Sequence, residues 1–160
     1  MKIEIITTGG TIDKIYFDAK SSFEIGEPQI GDVLREANLT VNYQITPLLR
    51  KDSLDIDDAD RELIKNAVMK SSVEKIVITH GTDTMIKTAK YLLGITGKTI
   101  VLTGAMQPAR FRYTDAIYNI ASALTSVQIL PEGVWIAMNG QLFDPEKSWK
   151  NVEMNRFENI

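Results

Sequence analysis

Two stretches of this chain, Ile76-Val77-Ile78 and Ile100-Val101-Leu102, are apolar at every position and rich in β-branched residues. A strand without a polar face has both sides covered, the situation of a parallel sheet held between layers of helices. With their flanks these stretches form runs 75–79 and 99–103, and three similar runs lie at 3–7, 41–46 and 134–138. In the second run Val41, Tyr43 and Ile45 alternate with polar neighbours, which puts that strand nearer a sheet edge. Helical patterns fill the gaps. Asp57 reads as the N-cap of a helix with Leu63, Ile64, Ala67 and Val68 on one face and acidic Asp58, Asp60 and Glu62 in its first turns. Asp83 or Thr84 opens a second helix to about Leu93, closed by Gly94 and Gly97. Thr114 or Asp115 opens a third, through Ile117, Ile120, Ala121 and Leu124, and a shorter helix covers 32–37. Strands and helices alternating in this way predict a single α/β domain: three α/β/α layers around a mainly parallel, flavodoxin-like sheet of order 2-1-3-4-5.

Composition narrows the function. The chain has 160 residues, read as one domain over 1–160, with no internal repeat, low-complexity tract or long linker. It contains no cysteine, which removes disulfides, thiolate catalysis and Cys-ligated metal. His80 is its one histidine, so neither a His-rich metal site nor a Ser-His-Asp triad is expected, and no cofactor or metal is predicted. Eighteen Lys and Arg stand against 21 Asp and Glu, a balance that argues against nucleic acid as a partner. No apolar run approaches the roughly 20 residues of a membrane helix. The first run turns polar at Thr7, too early for a signal peptide, so a cytoplasmic protein is expected.

Two stretches fall outside the βαβ scheme. Residues 12–29, with Ser21-Ser22, Gly26 and Pro28, form a long connection of the kind used as an active-site lid. The tail 139–160 opens on an Asn139-Gly140 turn and a short strand at 141–143, then reads as charged and irregular.

Ligands of open α/β sheets bind beyond the carboxyl ends of the strands, so the residues that follow each run matter most. After the first come Thr7-Thr8-Gly9-Gly10-Thr11-Ile12; after the third, His80-Gly81-Thr82-Asp83-Thr84; after the fourth, Thr103-Gly104-Ala105-Met106-Gln107-Pro108. Paired glycines permit a tight turn and close backbone approach, leaving the Thr11 hydroxyl at the sheet edge. Two hydroxyl-rich, glycine-containing loops facing one crevice describe a nucleophile site. Each also has a plainer reading. Thr-Gly-Gly-Thr alone is equally a phosphate-binding or an ordinary turn, though neither a dinucleotide fingerprint nor a Walker loop is present. Asp83-Thr84 alone caps a helix, and His80 reads as a hydrogen-bonded structural histidine. Arg110-Phe111-Arg112-Tyr113 reads as a solvated loop or subunit contact, and Lys147 and Lys150 as surface lysines.

Taken together, Thr8-Gly9-Gly10-Thr11-Ile12, Ser53-Leu54-Asp55-Ile56, Thr79-His80-Gly81-Thr82-Asp83-Thr84-Met85, Thr103-Gly104-Ala105-Met106 with Pro108, and 134–139 carry a more specific pattern. Over nearly its whole length the chain resembles the amino-terminal domain of the bacterial-type L-asparaginase family. That resemblance implies hydrolysis of L-asparagine to L-aspartate and ammonia, without a cofactor. It assigns Thr11 as the nucleophile that forms an acyl-enzyme, and Thr82, Lys150 and Asp83 as a supporting triad. Substrate binding falls to Ser53 for the α-carboxylate, to Asp83 for the α-amino group, and to the turns at Gly10 and Gly81. Backbone N–H groups near Thr82 are implied as oxyanion donors. The chemistry is self-consistent, because a threonine hydroxyl is a poor nucleophile that a partly desolvated lysine amine can activate.

Two departures from the family pattern shape the expectations. The lid position that usually carries a tyrosine is Phe23, with Tyr16 in the same segment as a candidate substitute. The family's carboxyl-terminal domain has no counterpart in 1–160, so a second subunit is expected to wall the site, making a homo-oligomer, a dimer or larger. The alternatives are a weak or inactive domain that binds an acidic amino acid or its amide, and an amidohydrolase acting on a larger amide.

Overall fold

The computed structural model describes residues 1–160. The chain opens with β1 (Lys2–Gly9), then a short hairpin of β2 (Lys14–Phe17) and β3 (Ser22–Ile25). Then follow α1 (Ile30–Glu36), β4 (Asn42–Lys51), α2 (Asp58–Lys70), β5 (Lys75–Thr79), α3 (Met85–Tyr91), β6 (Thr99–Thr103), α4 (Ala116–Ile129) and β7 (Gly133–Met138). Three short strands close the chain: β8 (Gln141–Phe143), β9 (Ser148–Asn151) and β10 (Arg156–Asn159). The main sheet runs β4-β1-β5-β6-β7-β8. Its first five strands are parallel, in the order the five runs predict, and β8 returns antiparallel beside β7. The alternating second run is indeed the edge strand, β4.

The continuous runs are covered on both sides. Ile6, Ile78, Leu102 and Ile136 lie in line across the sheet and pack with Ile64, Val68, Met85, Ala89 and Leu92 of the α2 and α3 layer. On the opposite face Ile5, Val77, Val101 and Ala137 meet Ile30, Leu34, Ile120, Ala123 and Val127 of the α1 and α4 layer. No helix is long and apolar enough to cross a membrane.

Two helices bury a different stripe from the one their apolar residues suggest. In α2 the cap is as predicted, a box in which Asp57 accepts from the Asp60 N–H and Asp60 from the Asp57 N–H. Leu63, however, points to solvent, while Arg61 is buried with Ile64 and Val68. Its charge is tolerated because Asp58 and Thr88 accept its hydrogen bonds. In α4, Ile117 and Ala121 face outward, and the buried stripe is Ala116, Asn119, Ile120, Ala123, Leu124 and Val127. Asn119 holds its place by donating to Gly104 O and Asp115.

Both unassigned stretches are more regular than the sequence suggests. The lid segment is the antiparallel β2–β3 hairpin, in which Tyr16 sits directly opposite Phe23. The tail is not irregular: β9 and β10 pair antiparallel, and Phe157 enters the core against Phe143, ring centroids 6.0 Å apart.

Candidate active site

The carboxyl ends of β1, β4 and β5 converge so tightly that glycine is required. Gly9 and Gly10 have φ of 100° and 88°, the left-handed region where a side chain is strained. A Cβ on Gly10 would lie 2.5 Å from the Gly81 backbone, and one on Gly81 would lie 2.6 Å from Ser53 Cβ. Thr11, Gly81-Thr82 and Ser53 therefore sit on three loops in direct contact. The Gly10 N–H donates to Lys51 O (2.9 Å), and Thr84 Oγ1 donates to Ser53 O (2.7 Å), pinning the same junction.

Thr11 opens a single 3₁₀ turn, Thr11–Asp13, and is half-buried. Thr82 and Asp83 lie in the turn between β5 and α3. Lys150 arrives from β9, 68 residues beyond Thr82, with its Nζ 2.8 Å from Thr82 Oγ1 and 2.6 Å from Asp83 Oδ1. Its side chain is only 13% exposed, against 43% for Asp83, so one partner is shielded while the other reaches solvent. Ser53 is buried, and its Oγ has no hydrogen-bond partner within the chain. No group of three or more His, Asp or Glu side chains is gathered where a metal could bind.

The hairpin is fastened beside this junction. Lys14 pairs with Asp52 at 3.2 Å and Arg50 with Glu27 at 2.5 Å. Burial opposes the charge of Asp52, yet hydrogen bonds from the Leu54 N–H and from Lys14 hold its carboxyl below the usual carboxylate range. At the hairpin base Asp13 accepts from the Gln29 N–H, and burial pushes its pKa up to about 7. Phe23 stacks edge-on with Tyr16 (5.3 Å) and with Phe111 (5.7 Å) from the β6–α4 loop.

A family model described as the asparaginase N-terminal domain matches residues 2–158. The chain belongs to the asparaginase family. It is 32% identical, over 96% of its length and 50% of the relative's, to a glutaminase-asparaginase of Acinetobacter glutaminasificans. It is 33% identical, over 88% of its length and 43% of the relative's, to a probable periplasmic L-asparaginase of Haemophilus influenzae. The thermostable L-asparaginase from Thermococcus kodakarensis superimposes with a TM-score of 0.85 at 27% identity, covering 100% of this chain and 51% of that one. This asparaginase-family chain thus spans about half the length of the curated relatives it matches.

Within this family member, the sequence-predicted Thr82, Asp83 and Lys150 come together, and Gly10, Gly81 and Ser53 meet at one junction. Lys147, by contrast, is a surface lysine beside Asp144. The loop 110–113 is exposed throughout, as expected, and is tethered where Arg110 Nε donates to Gln29 Oε1 at 2.7 Å and Phe111 meets the hairpin. His80 is fully buried and bonded at both ring nitrogens. Sequence reasoning missed Arg61 and Thr88, which lie behind the Thr82 loop. Arg61 is indistinguishable in sequence from a solvated helix residue, so no signal pointed to it.

Proposed function

We propose that the chain hydrolyses the side-chain amide of L-asparagine, giving L-aspartate and ammonia, with Thr11 as the nucleophile. Thr11 Oγ1 adds to the amide carbon. Its proton passes to the leaving nitrogen, the C–N bond breaks, and ammonia departs as the Thr11 ester forms. Water then adds to that ester and returns a proton to Thr11, releasing aspartate. The observation that carries this reading is the Thr82–Lys150–Asp83 cluster. Lys150 Nζ reaches Thr82 Oγ1 across 2.8 Å and Asp83 Oδ1 across 2.6 Å, so amine and carboxylate together fix the Thr82 hydroxyl to relay the Thr11 proton to the leaving nitrogen. The unpartnered Ser53 Oγ suits a substrate carboxylate, exposed Asp83 suits its α-amino group, and the glycines at 10 and 81 let backbone N–H groups approach the oxyanion.

Ammonia release from L- and D-asparagine, L-glutamine and larger side-chain amides tests the reading and its substrate class. Thr11→Val deletes only the hydroxyl, and a variant keeping more than about a tenth of the rate, a loss below ~1.4 kcal/mol, would rule out Thr11 as nucleophile. Phe23, with no hydroxyl beside the site, favours a second reading: a domain that binds an acidic amino acid without turnover. Calorimetric uptake of L-aspartate, weakened by Ser53→Ala, with no ammonia released by any variant, would select it.

We also propose a homo-oligomer, because the exposed Asp83 carboxyl leaves the substrate's α-amino end without a wall. A light-scattering mass of one chain together with full activity would refute this.

A further inference from the structure

Behind the loop that bears Thr82 runs a line of buried polar groups that no step above uses. Arg61 of α2 and Thr88 of α3 are 1% and 0% exposed, and His80 is 0% exposed. Arg61 Nε lies 3.2 Å from Thr88 Oγ1, Thr88 Oγ1 lies 2.9 Å from His80 Nε2, and His80 Nδ1 lies 2.7 Å from Gly81 O. Chemistry fixes every proton along this line. A carbonyl oxygen only accepts, so Nδ1 must carry the hydrogen. A neutral ring then presents a bare Nε2, which requires the Thr88 hydroxyl as donor. The hydroxyl has one hydrogen and has spent it, leaving its oxygen to accept from Arg61, and a guanidinium only donates. Three residues and two helices agree on one direction.

We infer that Arg61, Thr88 and His80 form a one-way hydrogen-bond relay that sets the orientation of the Gly81–Thr82 peptide, with His80 a positioning residue for the proposed hydrolysis. A trans peptide is planar and turns its C=O and N–H in opposite directions, so holding Gly81 O against the imidazole directs the Thr82 N–H away from it. Gly81 is pressed by Ser53 and Gly10 and has no side chain to hold its own peptide plane. The imidazole does that from behind. Burial lowers the His80 pKa to about 4, and the neighbouring Arg61 charge acts in the same sense, so the ring stays neutral. The one carboxylate on this line, Asp58, is spent on Arg61 Nη1 at 3.0 Å.

The inference rests on the hydrolase reading for its consequence but not for its first test. His80 is the chain's only histidine, so nitrogen-15 labelling of histidine gives one unambiguous pair of ring resonances. A neutral Nδ1–H tautomer is expected throughout about pH 5 to 8. An Nε2–H tautomer, or a midpoint near the ordinary histidine value, overturns the relay whether or not the chain is active. Thr88→Val removes the donor to Nε2 and should lower kcat about tenfold with KM within about twofold, the pattern of lost transition-state orientation. The same variant should mix the tautomers, and Thr88→Ser should restore both readouts. A change in only one readout, or in neither, overturns the relay. If Thr88→Val fails to fold, or if no hydrolysis is found, the native tautomer decides alone.

Discussion

Phe23 and Tyr16 face each other across the hairpin, and on the proposed mechanism their order decides whether the lid offers Thr11 a hydroxyl. A phenyl edge at residue 23 cannot donate to an oxygen gaining charge, whereas charge-assisted hydrogen bonds are worth about 1.5–3 kcal/mol, roughly ten- to two-hundred-fold in rate. Phe23→Tyr should therefore raise kcat within that range and leave KM nearly unchanged, because the gain arises in the transition state. Tyr16→Phe should slow steady-state turnover if its hydroxyl now serves. An unaltered kcat in both variants would mean that the aromatic pair only packs. Glycine acts at the same scale: Gly81→Ala forces a methyl to 2.6 Å from Ser53.

At the scale of elements, the hairpin hangs from weak fasteners. Its ion pairs to Asp52 and Arg50 are partly exposed, and each such pair is worth about 0–1 kcal/mol. The Phe23–Phe111 contact ties it to the β6–α4 loop. Phe111→Ala should speed amide hydrogen exchange through Lys14–Ile25 while leaving β5 protected. Equal acceleration in β5 would show that Phe111 supports the whole domain instead. These elements also show what a sequence can reveal. β5 and β6 were legible because both their faces are buried and their central residues, 76–78 and 100–102, are therefore all apolar. The β2–β3 hairpin was not, since its short strands have mixed exposure and lack a clean alternation. Strand β9 was hidden more deeply: Ser148-Trp149-Lys150-Asn151 has no apolar pattern, and its place depends on Phe157, six residues beyond, entering the core. The convergence of Thr11, Ser53 and Thr82 followed from strand order and from glycines that admit close contact. Of the Arg61–Thr88–His80 line only His80 was legible, as a hydrogen-bonded structural histidine; Arg61 left no trace, because burial of an arginine reverses the usual relation between charge and exposure.

For the molecule as a whole, two buried groups give opposing pH dependence. Asp13 has its pKa raised to about 7, so the folded chain holds a proton that the unfolded chain releases near 3.8. Its contribution is full below the unfolded value and is lost as pH rises through about 7. His80 is depressed to about 4, so its contribution is present above the unfolded value of 6.5 and is lost as pH falls through about 4. Between these limits one group binds the proton the other forgoes, and the slopes cancel. Asp13→Asn keeps the acceptor for Gln29 but abolishes one titration. Its stability, from urea midpoints, should then rise with pH by up to about 1.4 kcal/mol per unit between about pH 4.5 and 6.5, where the native chain stays nearly level. Parallel curves for the two proteins would show that Asp13 titrates normally.

The placement of Lys150 carries a consequence in time. Thr11, Thr82 and Asp83 sit on loops of the parallel sheet, whereas Lys150 is supplied by the β9–β10 pair that follows that sheet in the chain. Only when β9 and β10 have paired and Phe157 has seated beside Phe143 does Nζ reach the threonine. On the hydrolase reading proposed above, the site is therefore incomplete until β9 and β10 have docked.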